Sequence, residues 1–314
     1  MKRSASGARA RIARAGLLAL LVAGASCSRE PVRAPALAAE RSLPLTTVVF
    51  SGHRYVARAD FGLGETVPLM VHGNSSMFLS LTHAVGEKLN GGPVAKVKEY
   101  GYSAKGRGVV RVARMRLGGE RFTRIPPVPV FDFTDSAETL VQGMVGVPFL
   151  VQARAAVDFP EDRLLLGVPK RTNPDPALLV RGYRCVPFSI DAENRATLEA
   201  RFPALGRALR ITPSTVSSAL TLHRPLFAGK VPMTRAPSPD RSPNRTTPDE
   251  YAADRVDFEI AGVPMRSPAS FEDFAEYADV PERELDSFGM LGYDWMKRHD
   301  AILDYANRFL YFKP

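Results

Sequence analysis

The sequence contains one pattern twice, and this internal repeat constrains the fold more than any other feature. GMVGVPFLVQARAAVDFPEDRLLLGVP spans residues 143–169, and GMLGYDWMKRHDAILDYANRFLYFKP spans residues 289–314. In both segments two glycines precede an aromatic residue, and an alanine and an aspartate follow at the same spacing. The chain therefore consists of two homologous halves, about 45–170 and 178–314. The matched positions are Gly143 and Gly289, Gly146 and Gly292, Phe149 and Trp295, Ala155 and Ala301, Asp158 and Asp304, and, after a one-residue deletion, Arg163 and Arg308.

Within each half the hydrophobic pattern has a period of two. Val186, Phe188 and Ile190 alternate with polar neighbours, and the stretches 196–202 and 256–260 repeat the alternation. Such short runs, separated by glycine turns and prolines, are typical of half-buried strands. The sequence therefore predicts an all-β fold with few short helices. A Pro- and Arg-rich stretch, residues 233–250, is predicted to be a mobile loop.

The N-terminus has the pattern of an export signal. Basic residues precede the uncharged run Gly16–Ala25, which is shorter than the ~20 residues that span a bilayer. The run ends in VAGASC, which resembles a bacterial lipobox with Cys27 as the lipidated residue. The alternative is ordinary secretion after cleavage near Ala36–Ala39. We predict a signal peptide over 1–27, a flexible tether over 28–44, and a protein of the bacterial envelope, lipid-anchored at the outer membrane or in the periplasm, or secreted.

Charge, cysteine and histidine content exclude several function classes. The net charge is +9, but five positive charges lie in the signal peptide, which leaves +4 for the rest. No basic stripe interleaved with aromatic residues occurs, so nucleic-acid binding is not expected. Without Cys27, Cys185 is the remaining cysteine, and no internal disulfide is possible. The histidines lack metal-ligand spacing, so we predict no metal and no cofactor; they are His53, His72, His83, His223 and His299.

The order of these segments resembles the retropepsin-like unit of aspartic proteases. A hairpin leads into an apolar strand and a small-residue turn, a flap-like hairpin follows at 98–122, and the G-M-V-G or G-M-L-G segment comes last. Two such units in one chain resemble the pepsin-like arrangement. The resemblance implies an all-β, bilobal aspartic-protease-like fold made of two retropepsin-like β-barrel units. The second unit takes the place of a dimer partner, so we expect a monomer.

In that family two aspartates, one from each unit's Asp-Thr/Ser-Gly-Ala/Ser-Ser turn, share a proton and cleave peptides. The first turn here begins at Val71 and the second at Ile211, so the alignment puts an apolar residue at each aspartate position. We therefore expect Val71 and Ile211 to face each other at the base of one cleft, and we predict no catalytic residue. His72 is interpreted as a structural histidine. The candidate motif-turn and groove residues are Val71, His72, Gly73, Asn74, Ser75, Ile211, Thr212, Ser214 and Thr215.

The function expected from this resemblance is binding without catalysis. The cleft between the units would accept a peptide or protein ligand, and the membrane would be reached through the N-terminal lipid. The first alternative is an active peptidase of the aspartic type with a non-standard pair of residues. The second is a scaffold lipoprotein whose cleft is filled by its own loop at 233–250.

Overall fold

A computed structural model describes residues 37–49, 53–94, 108–130, 140–217, 219–236, 250–276 and 282–314. The described residues all belong to one compact unit. The predicted signal peptide, the predicted lipidation site Cys27, the first part of the predicted flap segment and most of the loop at 233–250 lie outside the described residues.

Strands dominate the described residues, as the period-two pattern predicts. Up to residue 170 they are β1 (Arg41–Pro44), β2 (Thr46–Val49), β3 (His53–Asp60), β4 (Thr66–Val71), β5 (Leu79–Leu81), β6 (Gly108–Val110), β7 (Met115–Leu117), β8 (Glu120–Phe122), β9 (Val128–Val130), β10 (Gly143–Val145), β11 (Ala156–Asp158) and β12 (Arg163–Leu166). After it they are β13 (Arg184–Pro187), β14 (Ser189–Ile190), β15 (Ala196–Phe202), β16 (Arg207–Pro213), β17 (Leu220–His223), β18 (Thr234–Ala236), β19 (Glu250–Ile260), β20 (Val263–Glu272), β21 (Phe288–Leu291), β22 (Ile302–Asp304) and β23 (Phe309–Phe312).

The helices are short. They are α1 (His83–Asn90), α2 (Val147–Gln152), α3 (Pro176–Val180), α4 (Arg224–Phe227), α5 (Glu282–Leu285) and α6 (Tyr293–Arg298), with 3-10 turns at Pro203–Leu205 and Phe274–Glu276. In the part of the chain that the structure describes, no helix has the length and apolar character needed to cross a membrane.

Each half of the chain builds its own sheet. We call strands β2–β10 the first lobe; their order is β6-β9-β5-β10-β4-β3-β7-β8, with β2 on β3. Strands β14–β21 form the second lobe, in the order β14-β15-β16-β21-β17-β20-β19-β18. There β15 also pairs with β19, which closes the sheet into a barrel. These sheets confirm the predicted all-β class with two barrel-like units and few helices.

A third sheet takes three strands from each half, in the order β1-β12-β11-β22-β23-β13. At its centre β11 and β22 run antiparallel, with Val157 opposite Leu303. Ala156 lies opposite Asp304, and Asp158 lies opposite Ile302. Because the repeat matches Asp158 with Asp304, this register relates the two halves by an approximate two-fold axis. The internal repeat is thus visible in the geometry of the sheet.

The position of the first strand shows that the predicted end of the flexible tether is wrong. β1 pairs along its length with β12, from Arg41 opposite Leu166 to Pro44 opposite Arg163. Leu37, four residues earlier, is fully buried among apolar side chains. Residues 37–44 therefore belong to the folded part, although we predicted a flexible tether up to residue 44. The apolar Leu37 and the β-ladder outweigh the Ala- and Pro-rich composition that suggested a linker.

Candidate functional site

The two motif turns have the same backbone environment. In the first lobe, the amide of His72 donates to Val145 O at 2.9 Å, and the amide of Val147 donates to Ser75 O at 2.9 Å. In the second lobe the amide of Ser214 donates to Leu291 O at 2.8 Å. The amide of Tyr293 likewise donates to Ser217 O at 2.6 Å. Each turn is therefore held by the strand and helix start that follow the repeated glycines.

This register corrects the alignment of the two turns. Val71 lies opposite Val145, two residues after Gly143, whereas Ile211 lies directly opposite Gly289. Since Gly143 and Gly289 are equivalent in the repeat, Ile211 corresponds to Leu69, which lies opposite Gly143.

The predicted equivalence of Val71 and Ile211 is therefore wrong by two residues. His72 corresponds to Ser214, and Gly73 corresponds to Thr215. The corrected alignment matches His-Gly-Asn-Ser-Ser at 72–76 with Ser-Thr-Val-Ser-Ser at 214–218, and both stretches end in two serines.

The repeated glycines Gly146 and Gly292 explain why this environment is kept in both lobes. A Cβ at Gly146 would collide with Met77 O, and a Cβ at Gly292 would collide with Ala219 O. Both carbonyls belong to the segment that leaves the motif turn. Any larger residue at either glycine would therefore push the turn away from the strand that fixes it.

Thr215 connects the two turns across the lobes. Its Oγ1 accepts a hydrogen bond from the amide of Gly73 at 2.8 Å and donates to Val71 O at 2.5 Å. Tyr305 OH donates to Gly73 O at 2.9 Å. All four residues are buried, so a polar group that loses its partner here carries the full cost of desolvation. A Cβ added to Gly73 would lie 2.5 Å from Tyr305 OH and 3.0 Å from Thr215 Cγ2, so the contact requires glycine.

His72 is a buried imidazole, 7% exposed. Burial, followed by the positive charge of Arg54, lowers the pKa of His72 to about 4, against a smaller opposing effect of a hydrogen bond with Asn74. His72 is therefore neutral at pH 7. Arg54 Nη1 also donates to His53 O at 2.9 Å and to Val216 O in the second turn, so this cation joins the lobes.

Ser214, the counterpart of His72, is fully buried. Its Oγ accepts from the amides of Ser217 at 2.9 Å and Val216 at 3.3 Å, as is usual for a turn hydroxyl. Its hydroxyl lies 3.4 Å from Asn74 Oδ1. Asn74, which shares a hydrogen bond with His72, therefore lies between the two equivalent side chains.

Most of the predicted groove residues are inaccessible. Gly73 and Ser75 are buried, and Val71, Ile211, Thr212, Ser214 and Thr215 are fully so. The hydroxyl of Thr212 has no hydrogen-bond partner among the described residues. Of the predicted set, Asn74 is half-buried. The groove predicted along Gly73–Ser76 also includes the exposed Ser76, whereas the half-buried Val216 and Ser217 were not predicted. A ligand at these turns would therefore contact Asn74, Ser76, Val216 and Ser217.

The turns offer no acid-base pair of the usual kind, since neither 72–76 nor 214–218 contains a carboxylate. The repeated acids serve the third sheet instead: Asp304 Oδ1 accepts from the amide of Asn307 at 3.1 Å. Within the described ranges no three His, Cys, Asp or Glu side chains could hold a metal ion. Cys185 is a half-buried thiol, and burial raises its pKa to about 12, so it is protonated at neutral pH.

Sequence reasoning missed Arg54 and Tyr305 at this site. Tyr305 follows Asp304, and Phe159 follows Asp158 at the equivalent position of the first half. The repeated aromatic residue was therefore a usable signal, although only the second copy carries the hydroxyl that reaches Gly73. Arg54 has no such signal, because it is one of many arginines in the chain.

Comparison with known proteins identifies no family for this chain. No protein-family model matches it, and no curated protein matches it. The crystal structure of Basic 7S globulin from soybean is similar at 10% sequence identity, covering 87% of this chain and 95% of that chain, with a TM-score of 0.41. A likeness at this level carries no argument about function.

Proposed function

We propose that this protein is a non-catalytic, aspartic-protease-like protein of the bacterial envelope that binds a peptide or protein segment between its two lobes. The observation that carries the proposal is the chemistry of the two equivalent positions. Read with the corrected alignment, the motif Asp-Thr-Gly-Ser-Ser corresponds to His72–Ser76 and to Ser214–Ser218. The two aspartates would then be replaced by a histidine and a serine, rather than by Val71 and Ile211.

Loss of both acids removes the proton-sharing pair on which aspartic-protease chemistry depends. The replacements leave no negative charge at the centre, and the low pKa of His72 keeps the imidazole neutral at pH 7. The Ser214 hydroxyl is satisfied by the amide of Ser217 and lies within 3.4 Å of Asn74 Oδ1. The centre is therefore suited to holding the lobes together, while the half-buried Asn74 and its accessible neighbours are available to a ligand.

A binding experiment tests the groove. Purified protein is incubated with a broad peptide library, and retained and cleaved peptides are both identified by mass spectrometry. We expect retention without cleavage. Asn74→Trp should abolish retention because the indole would fill the space between the turns. Val180→Trp is the matched control, since Val180 is 89% exposed on α3. Equal retention by both variants would refute a groove at the turns. If neither the natural protein nor a variant lacking residues 237–249 retains peptides, the result would favour the alternative of a scaffold lipoprotein.

One observation favours a second candidate function, a peptidase with a non-standard pair. His72 is a neutral imidazole, Ser214 is a hydroxyl at the equivalent position, and Asn74 lies between them. A base and a hydroxyl are the parts of a serine-type nucleophile, although burial of both groups opposes this role. If peptides are cleaved, the activity should disappear in both His72→Gln and Ser214→Ala, with a pH-rate inflection set by His72.

The envelope location is tested separately. Metabolic labelling with radioactive palmitate should mark the protein, and Cys27→Ser should remove the label and release the protein from the membrane fraction. Ordinary secretion predicts no label in either form and an N-terminus near Ala36–Ala39.

A further inference from the structure

A hairpin of the first lobe concentrates exposed arginines. We call residues 111–124 the arginine hairpin; it contains strands β7 and β8. Its arginines are all exposed, and among the described residues none forms an ion pair with a carboxylate. They are Arg111, Arg114, Arg116, Arg121 and Arg124.

Two of these arginines are placed at opposed positions by the strand register. Arg116 lies directly opposite Arg121, so both side chains are on the same face of the hairpin. Like charges at directly opposed positions destabilise a strand pair. Asp60 lies opposite Arg116 on the other side, and its Oδ1 accepts from the amide of Gly62 at 2.7 Å. The other acid of the hairpin, Glu120, is half-buried and lies opposite Leu117. The exposed face therefore keeps a surplus of positive charge that costs stability in the free protein.

The hairpin lies beside the start of the folded part. A Cβ on Gly118, at its tip, would collide with Leu43 of β1, and a Cβ on Gly119 would lie 3.6 Å from Arg41 Nη1. Arg41 is itself exposed and adds to the same charge. Cys27 precedes Arg41 by 14 residues, a span of at most about 50 Å when fully extended. A lipid on Cys27 would therefore keep this end of the first lobe within about 50 Å of the bilayer, so that the hairpin can reach the lipid surface.

We propose that the arginine hairpin is a membrane-contact surface that binds the phosphates of anionic lipid headgroups. The proposal rests on the envelope anchoring described above, because the anchored end is what brings the hairpin to the lipid. Guanidinium groups form bidentate hydrogen bonds with phosphate oxygens, and each basic residue near an anionic surface adds to the attraction. Lipid phosphates would also relieve the repulsion between Arg116 and Arg121. Contact at this hairpin would fix the orientation of the first lobe relative to the membrane.

The test uses the unlipidated chain from Ser28 onward, which contains the whole compact unit, so that binding does not depend on Cys27. Co-sedimentation is measured with vesicles of phosphatidylcholine alone and of phosphatidylcholine mixed with phosphatidylglycerol. We expect binding to the mixed vesicles alone, weakened by salt. The triple variant Arg114→Gln, Arg116→Gln, Arg121→Gln should lose affinity roughly fivefold for each charge removed.

The matched control removes three exposed arginines elsewhere, in Arg181→Gln, Arg184→Gln, Arg201→Gln, with the same change in net charge. Equal loss of affinity in both triple variants would overturn the proposal, because net charge alone would explain it. Binding to soluble polyphosphate with no vesicle binding would overturn it as well.

The single variant Arg121→Glu separates binding from folding. It should raise the thermal midpoint, because a carboxylate at position 121 would lie opposite Arg116, and it should still weaken vesicle binding. A higher midpoint with unchanged vesicle binding would overturn the proposal. Absence of the palmitate label from the full chain would refute the anchor without altering these vesicle results.

Discussion

The first-lobe turn has a glycine where the second-lobe turn has a threonine, and the two residues fit each other. Thr215 Oγ1 reaches the amide of Gly73 and the carbonyl of Val71, and Tyr305 OH fills the space that a side chain at residue 73 would need. Two identical copies in a symmetric dimer would have to place the same residue on both sides. In a duplicated chain the two turns can differ, and here equivalent positions form an asymmetric hydrogen-bonded contact, which we call the inter-lobe lock.

The largest effect on the free energy of unfolding should come from removing the inter-lobe lock. Thr215→Val deletes Oγ1 while keeping the shape of the side chain, so the amide of Gly73 and the carbonyl of Val71 lose their partner. Each unpaired buried group costs roughly 1–3 kcal/mol, so we expect unfolding free energy to fall by about 4 kcal/mol. Urea denaturation measures this change. A loss below about 1 kcal/mol would show that water replaces the hydroxyl and that the lobes do not depend on it.

The other equivalent pair, His72 and Ser214, should give the next largest effect, and only on acidification. Above pH 6.5 both folded and unfolded His72 are neutral, so stability is independent of its titration. Below that pH the unfolded state binds a proton that the folded state, with a pKa of about 4, does not. Stability should therefore fall between pH 6.5 and 4 by a total of about 3 kcal/mol.

His72→Gln removes this contribution and has no charge to titrate. Urea denaturation at several pH values compares the variant with the natural chain. If the free energy of unfolding varied with pH in the same way for the two proteins, His72 would not be a neutral buried residue.

A smaller loss is expected from making the first turn resemble the second. Gly73→Ala places a methyl group 2.5 Å from Tyr305 OH, and overpacking of this kind costs about 2 kcal/mol. Tyr305→Phe removes the hydroxyl, so Gly73→Ala should cost less in that background. A double-mutant cycle measures the coupling between residues 73 and 305. Strict additivity would show that the clash is relieved by movement of the backbone.

The smallest effect should come from Thr212, three residues before Thr215 and equally buried. Its hydroxyl has no partner within the described residues, so Thr212→Val removes a desolvated group without breaking a hydrogen bond. We expect a gain of up to about 1 kcal/mol in urea denaturation. A loss similar to that of Thr215→Val would show that Thr212 also joins the lobes.

The sequence predicts the architecture well because the repeat and the period-two alternation are properties of buried strands. It fails at the two turns, where small polar residues carry no periodicity. There the alignment is decided by the ladders to Gly143–Val145 and Phe288–Leu291, which only the folded sheet reveals. The net charge of the chain does not reveal the arginine hairpin, for a similar reason. Elsewhere acidic and basic residues are interspersed along the sequence, whereas Arg116 and Arg121 become neighbours only through strand pairing.

The sheet that combines strands of both halves has a consequence for synthesis of the chain. β11 is complete at residue 158, but its neighbour β22 begins at Ile302, and β1 and β12 occupy only the other side. While the intervening residues are being translated, the first half therefore presents an open strand edge. Such edges can pair with other chains, so the first half is exposed to aggregation during this interval. A chaperone or rapid export would protect the protein during this interval.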